Sequence, residues 1–306
     1  MWERILVPLD GSNLAELALA YAEEISAAFN SEVVLLYVSE PKESQYRPMH
    51  QLYMDGVAKR VRERVKEHAR VKAIALTGEP AEEIINYARR HKVGLIITAS
   101  HGRSGVMSWA TGGVANKVLQ AARVPVLLIK VVKPPQRVAG KHLLNRILLP
   151  LDCSEAGEAA LPYVQELRGR LESEVILFGV VAAGQHVRTV GGLDYIPYPE
   201  QDLKLVKAEV REYLDKVYHR VEGGKGTVRV ELKVGGDVAG EIIRFAEETR
   251  ASLIAISAHG RSGIGKWVFG STASKILQTS KIPILLVRAR KDKKEGSKRG
   301  RASNIL

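Results

Sequence analysis

Two stretches of this chain hold the residue types best suited to gripping an anion. One is Ser257-Ala258-His259-Gly260-Arg261-Ser262-Gly263 with Gly270-Ser271-Thr272 after it; the other is Ala99-Ser100-His101-Gly102-Arg103-Ser104-Gly105 with Gly112-Gly113 after it. Each follows a strongly apolar run, Leu253 to Ile256 or Gly94 to Thr98, and each precedes helical spacing, Thr272 to Ser280 or Val114 to Ala122. A buried strand thus feeds a glycine-rich turn, and a further glycine opens a helix. Glycine lets the backbone come close to a ligand, and the unpaired N–H groups of a helix N-terminus point at whatever binds there. The amides of Gly102 to Ser104 and of Gly260 to Ser262 can form an anion-binding concavity. Arg103 and Arg261 either add charge to a bound phosphate or stand in solvent. His101 and His259 either donate to a phosphate or brace the turn; a catalytic role is not expected. Small residues also serve plain tight turns, but the same His-Gly-Arg-Ser-Gly at matching places in two copies favours a ligand loop.

The second constellation is Pro8-Leu9-Asp10-Gly11-Ser12, which recurs as Pro150-Leu151-Asp152-Cys153-Ser154. Asp10 and Asp152 are short acceptors at strand ends. They suit a sugar hydroxyl, and equally they suit capping the helix that follows. Cys153 takes the place of Gly11 and has no equivalent in the first copy, which argues against a nucleophile. Trp109 and Trp267 match each other and are expected to pack rather than to stack on a base.

These motifs need a scaffold that brings the aspartate turn and the glycine loop together. The aspartates lie 152 − 10 = 142 residues apart and the loop glycines 260 − 102 = 158 apart, so the chain is an internal duplication. The difference, 158 − 142 = 16, is an insertion in the second copy between Val180 and Gly236, placed in the Gly/Pro/Tyr-rich stretch from Ala182 to Pro199. That stretch is expected beside the second cleft, with Tyr195 and Tyr198 either shielding a ligand or simply decorating the surface. Within a copy, strands and helices alternate: strand Ile5–Leu9, helix Asn13–Asn30, strand Glu32–Val38, helix Gln51–Ala69, strand Val71–Thr77, helix Pro80–Arg90, strand Gly94–Thr98, helix Val114–Ala122 and strand Val124–Ile129. Continuous Val/Ile/Leu strands alternating with helices predict a parallel sheet covered on both faces. Ligands on such sheets sit outside the carboxyl ends of the strands, where strand order reverses. Both the aspartate turn and the glycine loop lie at carboxyl ends. The last strands, Val126–Ile129 and Ile284–Val287, are apolar edges expected to pair or to be covered.

Each half resembles a universal stress protein domain, and the chain is similar to the tandem members of that family. The resemblance implies two doubly wound α/β domains, each a five-stranded parallel sheet flanked by helices, packed as a pseudo-dimer. Nucleotide-binding members of the family carry Gly-x2-Gly-x9-Gly-Ser/Thr. Here the second copy reads Ser257-x2-Gly260-x9-Gly270-Ser271 and the first reads Ala99-x2-Gly102-x9-Gly112-Gly113. The resemblance implies a regulatory stress-response protein that binds ATP or another adenine nucleotide, with Mg2+ as a companion ion. Residues implied at the site are Pro8, Leu9, Asp10, Ser12, Val38, Ala99, Gly102, Arg103, Gly112 and Gly113 in one half. In the other they are Pro150, Leu151, Asp152, Ser154, Val180, Ser257, Gly260, Arg261, Gly270, Ser271 and Thr272. Asp10 and Asp152 would contact the ribose or the base, and Val38 and Val180 would line the adenine pocket. A small residue replaces the first glycine in both copies, and the missing hydroxyl at Gly113 makes the second half the expected better binder. Rival readings are a slow ATPase, or a partner-binding module of the same fold with empty clefts.

Composition bounds the rest. At 306 residues with 45% hydrophobic content, the chain has material for two cores. Domains are expected over residues 1–132 and 144–289, joined by a linker 133–143 and followed by a basic tail 290–306, expected to be disordered. Of the +12 net charge, +6 falls between Arg288 and Arg301, so nucleic acid is expected only through the tail. A single cysteine fits a reducing cytoplasm, and with a strand starting at Glu3-Arg4-Ile5 no signal peptide is expected. No eighteen-residue apolar run marks a membrane span. No Cys/His cluster marks a structural metal, and no Gly-x4-Gly-Lys-Ser/Thr loop or Gly-x-Ser-x-Gly elbow marks a known catalytic device. A homo-oligomer and an unidentified protein partner complete the expectation.

Overall fold

The computed structural model describes residues 1–65, 70–100, 113–130, 142–189, 192–197, 199–258 and 269–289. The first half runs β1 (Arg4–Leu9), α1 (Asn13–Phe29), β2 (Glu32–Ser39), α2 (Arg47–Val65), β3 (Val71–Thr77), α3 (Pro80–Arg90), β4 (Leu95–Ser100), α4 (Val114–Ala121) and β5 (Val126–Lys130). The second runs β6 (Arg146–Pro150), α5 (Leu161–Leu171), β7 (Glu174–Ala182), β8 (Gly184–Thr189), β9 (Gly192–Pro197), α6 (Glu200–Val221), β10 (Thr227–Gly235), α7 (Val238–Glu248), β11 (Leu253–Ser257), α8 (Ser271–Thr279) and β12 (Ile284–Val287).

Ten strands form one sheet in the order β10-β7-β6-β11-β12-β5-β4-β1-β2-β3. Pairing is parallel within each half and antiparallel where the halves meet, with Leu285 opposite Leu127. The two apolar edges thus satisfy each other, and β3 and β10 remain as the outer edges. Alternation along the strands splits the core in two. Ile5, Val7 and Leu149 face one layer of helices, while Leu6, Leu148 and Phe178 face the other. Each fully buried Val, Leu or Ile is worth about 1.5–3 kcal/mol, so the continuous apolar strands hold both layers. Both cores run through the two halves, because the sheet itself does.

The seam has a second component on the α1 side. Trp2 stacks on Tyr163 of α5 at 6.1 Å and 16°, and Glu24 accepts hydrogen bonds from Leu143 N at 2.8 Å and Leu144 N at 3.1 Å. The first helix of the first half therefore pins the start of the second.

Three local departures from the sequence reading have physical causes. Helix α2 starts at Arg47 rather than Gln51, after a 3-10 turn over Pro41–Tyr46. Pro48 falls in its first turn, where a missing N–H costs nothing. The expected insertion is a two-stranded antiparallel ribbon, β8 and β9, with Gly184 opposite Pro197 and Thr189 opposite Gly192. The second half opens with a 3-10 turn, Gly157–Ala160, and the shorter α5, where the first has the unbroken 17-residue α1. Most of the expected linker, the basic tail and residues 66–69 lie outside the described residues.

Candidate functional site

In each half the first strand has the second on one side and the fourth on the other, so strand order reverses between β1 and β4 and between β6 and β11. The carboxyl ends of these pairs carry the aspartate turns and the starts of the glycine loops. This is where an open parallel sheet offers a crevice.

The aspartate turns are built alike. Ser12 N and Ser12 Oγ donate to Asp10 Oδ1 at 3.0 and 2.6 Å, and Ser12 Oγ accepts from Ala15 N at 3.1 Å. In the second half, Ser154 N and Oγ donate to Asp152 Oδ1 at 3.1 and 2.6 Å, and Ser154 Oγ accepts from Gly157 N at 2.9 Å. Helix α1 is thus capped by Ser12, and the aspartate braces the capping serine rather than capping the helix itself. The turn needs a left-handed residue after the aspartate: Gly11 has φ +80° and Cys153 has φ +63°. A non-glycine residue pays a steric cost there, and the second half tolerates it. Gly157 is dictated by the same turn, since a Cβ on it would run into Asp152 Oδ1.

At the carboxyl ends of the second half lies a cavity of ≈ 380 Å³. That is the lower part of the range for small-molecule sites. Pro150, Leu151 and Asp152 line it from β6, Phe178, Val180 and Ala182 from β7, and Ile256, Ser257 and Ala258 from the end of β11. Gly270, Ser271, Thr272 and Ala273 close it at the head of α8, and Val210, Val238 and Ile242 come from the flanking helices. Two features call for a polar ligand. Ser257 Oγ is buried with no hydrogen-bond partner among the described residues. Leaving such a group unpaired costs about 1–3 kcal/mol. The head of α8 has Gly270 at its N-cap and no side-chain cap, whereas α1 and α3 are capped by Ser12 and Glu79. Gly270 N spends its proton on Ala258 O at 3.1 Å, which fixes the helix head against the end of β11. Lys275 clamps α8 from the side through Asp237 at 2.6 Å, and the bond from Lys275 holds that carboxyl below its ordinary range. Apolar walls, one carboxylate, an orphaned hydroxyl and a helix head together suit a ligand with a flat apolar part, hydroxyls and an anionic group.

The first half repeats the frame with different furniture. Ala99 stands where Ser257 does and Gly113 where Ser271 does, and α4 likewise lacks a side-chain cap. Lys117 reaches Glu79 at 2.8 Å as Lys275 reaches Asp237.

The universal stress protein family model matches residues 1–130 and again 144–288. The chain belongs to the universal stress protein family. A universal stress protein of Methanocaldococcus jannaschii is 28% identical over 141 residues, covering 42% of this chain and 83% of that protein. Universal stress protein YxiE of Bacillus subtilis is 31% identical over 150 residues, covering 42% of this chain and 100% of YxiE. Each relative therefore matches about one half of this tandem chain. A solved universal stress protein from Archaeoglobus fulgidus superposes with TM-score 0.66 at 21% identity, over 94% of this chain and 98% of its own, a likeness of fold.

Of the residues that family resemblance implies, the structure brings Pro150, Leu151, Asp152, Val180, Ser257, Gly270, Ser271 and Thr272 to one cavity, with Ser154 behind Asp152. In the first half, Pro8, Leu9 and Asp10 end β1, Ser12 caps α1, Val38 lies near the end of β2, Ala99 on β4 and Gly113 at the head of α4. Gly102, Arg103, Gly112, Gly260 and Arg261 lie outside the described residues, as do His101, His259, Trp109, Trp267 and Tyr198. The sequence reading missed Ala182, Val210, Val238 and Ile242 as cavity walls. Their signal is that of any core residue: Ala182 reaches the cavity as the end of β7, and only the packing of α6 and α7 turns Val210, Val238 and Ile242 toward it. The ribbon β8–β9 departs from Ala182, so the insertion is rooted in a cavity wall.

Proposed function

We propose that the protein is a regulatory adenine-nucleotide binder whose principal site is the cavity of the second half. The observation that carries this reading is the conjunction at the switch point of an uncapped helix head, the orphaned Ser257 Oγ and the braced Asp152 carboxylate around one cavity. In this reading Val180, Ala182 and Pro150 sandwich the base, and Asp152 accepts from a ribose hydroxyl. Ser257 Oγ, Ser271 and the first N–H groups of α8 hold phosphate, with Gly260 and Arg261 from the glycine loop. ATP, accompanied by Mg2+, is the nucleotide we favour. Val38, Asp10, Ala99, Gly102, Arg103, Gly112 and Gly113 would form a weaker site in the first half. We take the domains to span residues 1–132 and 144–289, in a cytoplasmic protein whose nucleotide occupancy alters its stability or its hold on a protein partner. Among the described residues no helix is long and apolar enough to cross a membrane.

The test is mass spectrometry of nucleotide released from freshly purified protein, followed by calorimetric titration with ATP. Asp152→Ala should weaken binding about tenfold, the loss of a hydrogen bond to a charged group. Purified protein without nucleotide, together with a melting temperature unmoved by ATP, would sink the reading in favour of an empty-cleft interaction module. Turnover of ATP well above background would replace regulation by slow hydrolysis.

A further inference from the structure

Two cations cross the seam between the halves in mirrored fashion. Lys130, the last residue of β5, donates from Nζ to Leu277 O in the last turns of α8. Arg288, just past β12, donates to Leu119 O at 3.1 Å and to Gln120 O at the end of α4. Donors and acceptors are both 158 residues apart, 288 − 130 and 277 − 119, so these are one contact made twice. Each cation also sits at the carboxyl end of the strand that pairs with the one leading into a glycine loop. Lys130 is opposite Ser100 on β4, and Val287, beside Arg288, accepts from Ala258 N at 2.7 Å. The guanidinium of Arg288 lies 5.9 Å from the ring centroid of Phe269, the residue that leads into Gly270 at the head of α8.

Helix α8 has nine residues and is therefore only about 13 Å long. Its head closes the cavity of the second half, and its far end is held from the first. A cation on C-terminal carbonyls favours the helix dipole, which is the same field that favours an anion at the head. Lys130 is only 7% exposed. Burying an ammonium group is expensive, and an apolar residue would serve plain packing as well or better.

We propose that Lys130 and Arg288 are positioning residues through which the first domain sets the affinity of the second cleft. Lys130 fixes the far end of α8, and Arg288 ties the approach to its head to α4 of the other domain. The cleft of the second half is thus completed by the first, although no side chain of the first enters it among the described residues. The proposal rests on the reading of that cleft as a nucleotide site.

The test uses the full chain with ATP as the probe, measured by equilibrium dialysis at the tighter site, with thermal melts alongside. Lys130→Met should weaken ATP about fivefold or more, the usual size of a coupling between distant groups, while Lys130→Arg keeps most of the affinity. Arg288→Met should act in the same direction and Arg288→Lys should restore part of the loss. A structural role alone would move the melting temperature and leave affinity untouched. Should Lys130→Met fail to fold, Lys130→Gln against Lys130→Arg makes the same comparison. ATP bound by wild type and equally well by the Met or Gln variants overturns the positioning role and leaves the binding reading standing. No ATP uptake by wild type overturns both.

Discussion

The two halves share their framework down to individual contacts and differ where a ligand would touch. Arg4 pairs with Glu32 at 2.5 Å as Arg146 pairs with Glu174 at 2.5 Å. Tyr53 and Arg60 both reach Glu16 at 2.8 Å, as Tyr213 and Arg220 reach Glu158 at 2.9 and 2.6 Å. Around the clefts Pro8 and Pro150, Asp10 and Asp152, and Val38 and Val180 still match, but Gly11 stands against Cys153, Ala99 against Ser257 and Gly113 against Ser271, and among the described residues only the second half has a ribbon. Contacts that hold helices to the sheet serve both copies equally, so they are retained. The cleft positions that differ carry no such shared duty. The difference teaches that one scaffold here supports two unequal sites.

The sharpest contrast within the frame is Tyr37 against Gly179, which are 179 − 37 = 142 residues apart. Tyr37 fills its space from the strand, stacking on His50 at 4.3 Å with Tyr53 edge-on at 6.3 Å. In the second half α6 and the neighbouring strand β10 fill it instead. A Cβ on Gly179 would lie 2.9 Å from both Leu214 and Leu232 and 3.0 Å from Val210. Making the halves alike by Gly179→Tyr should therefore overpack the core and cost about 3 kcal/mol or more, at the severe end for such changes. It should also press on Val210 and narrow the cavity. Urea melts of the full chain decide this, and a loss below about 1 kcal/mol would mean that α6 has slack to give.

The mirrored cations differ in how they titrate. Burial pushes the Lys130 ammonium down from 10.5 to about 8, whereas Arg288, also lowered by burial, starts from the far higher range of a guanidinium. The folded-state value of Lys130 lies below its unfolded value, so between pH 8 and 10.5 the unfolded chain holds the extra proton. Stability should rise with pH through that window and be flat in this contribution below it. The gain is about 3 kcal/mol at most, discounted by the bond to Leu277 O. Lys130→Met should abolish the rise and Arg288→Met should not. Equal pH dependence in wild type and Lys130→Met would remove Lys130 as its source.

The paired carboxylates allow a subtler comparison. Burial raises Glu32, but the bonds from Lys72 and Arg4 outweigh it and hold the carboxyl below its ordinary value; for Glu174 the bonds from Arg229 and Arg146 do the same. Lowered carboxylates contribute stability that is present above pH 4.5 and lost on acidification. Glu32 is 4% exposed and Glu174 24%, so Glu32→Gln should cost the more, about 2 kcal/mol against about 1. The reverse order in melts at neutral pH would show that exposure does not govern these pairs.

Much of this architecture was legible in the residues themselves. Runs such as Ile5 to Leu9 and Leu253 to Ile256 announce buried parallel strands, and the repeated Pro-Leu-Asp and His-Gly-Arg-Ser-Gly announce the duplication. The carboxyl-end cleft follows from them, with Asp152, Val180, Ser257 and Ser271 on its walls. What was not legible is what neighbours decide. A lysine ending an apolar run, as Lys130 does, reads as the solvent end of a strand until the other domain covers it. Ser12 and Asp10 are equally good caps by residue type, and only backbone geometry gives the cap to Ser12. Gln185 to Pro197 contains too many turn formers to read as strands, yet pairing with itself makes a ribbon.

The smallest expected effect tests the inequality of the sites directly. Both helix heads are uncapped and both should attract phosphate, α4 behind Gly113 and α8 behind Gly270. At two matched positions the second cleft has hydroxyls where the first has none: Ser271 against Gly113 at the helix head, and Ser257, whose Oγ has no partner among the described residues, against Ala99. A hydrogen bond to a charged group is worth roughly 1.5–3 kcal/mol, but Gly113 keeps its own N–H and water can stand in for a missing hydroxyl. The low end is therefore the reasonable expectation, about tenfold in affinity. In the full chain, ATP should fill two sites whose constants differ by about that factor. Ser271→Gly should lower the tighter toward the weaker, and Gly113→Ser should raise the weaker. The exchange must run in both directions, because a hydroxyl that merely stabilises α8 would strengthen folding at one site without strengthening binding at the other. Equal affinities in wild type, or a tighter first site, would show that the hydroxyls are not what separates the two clefts.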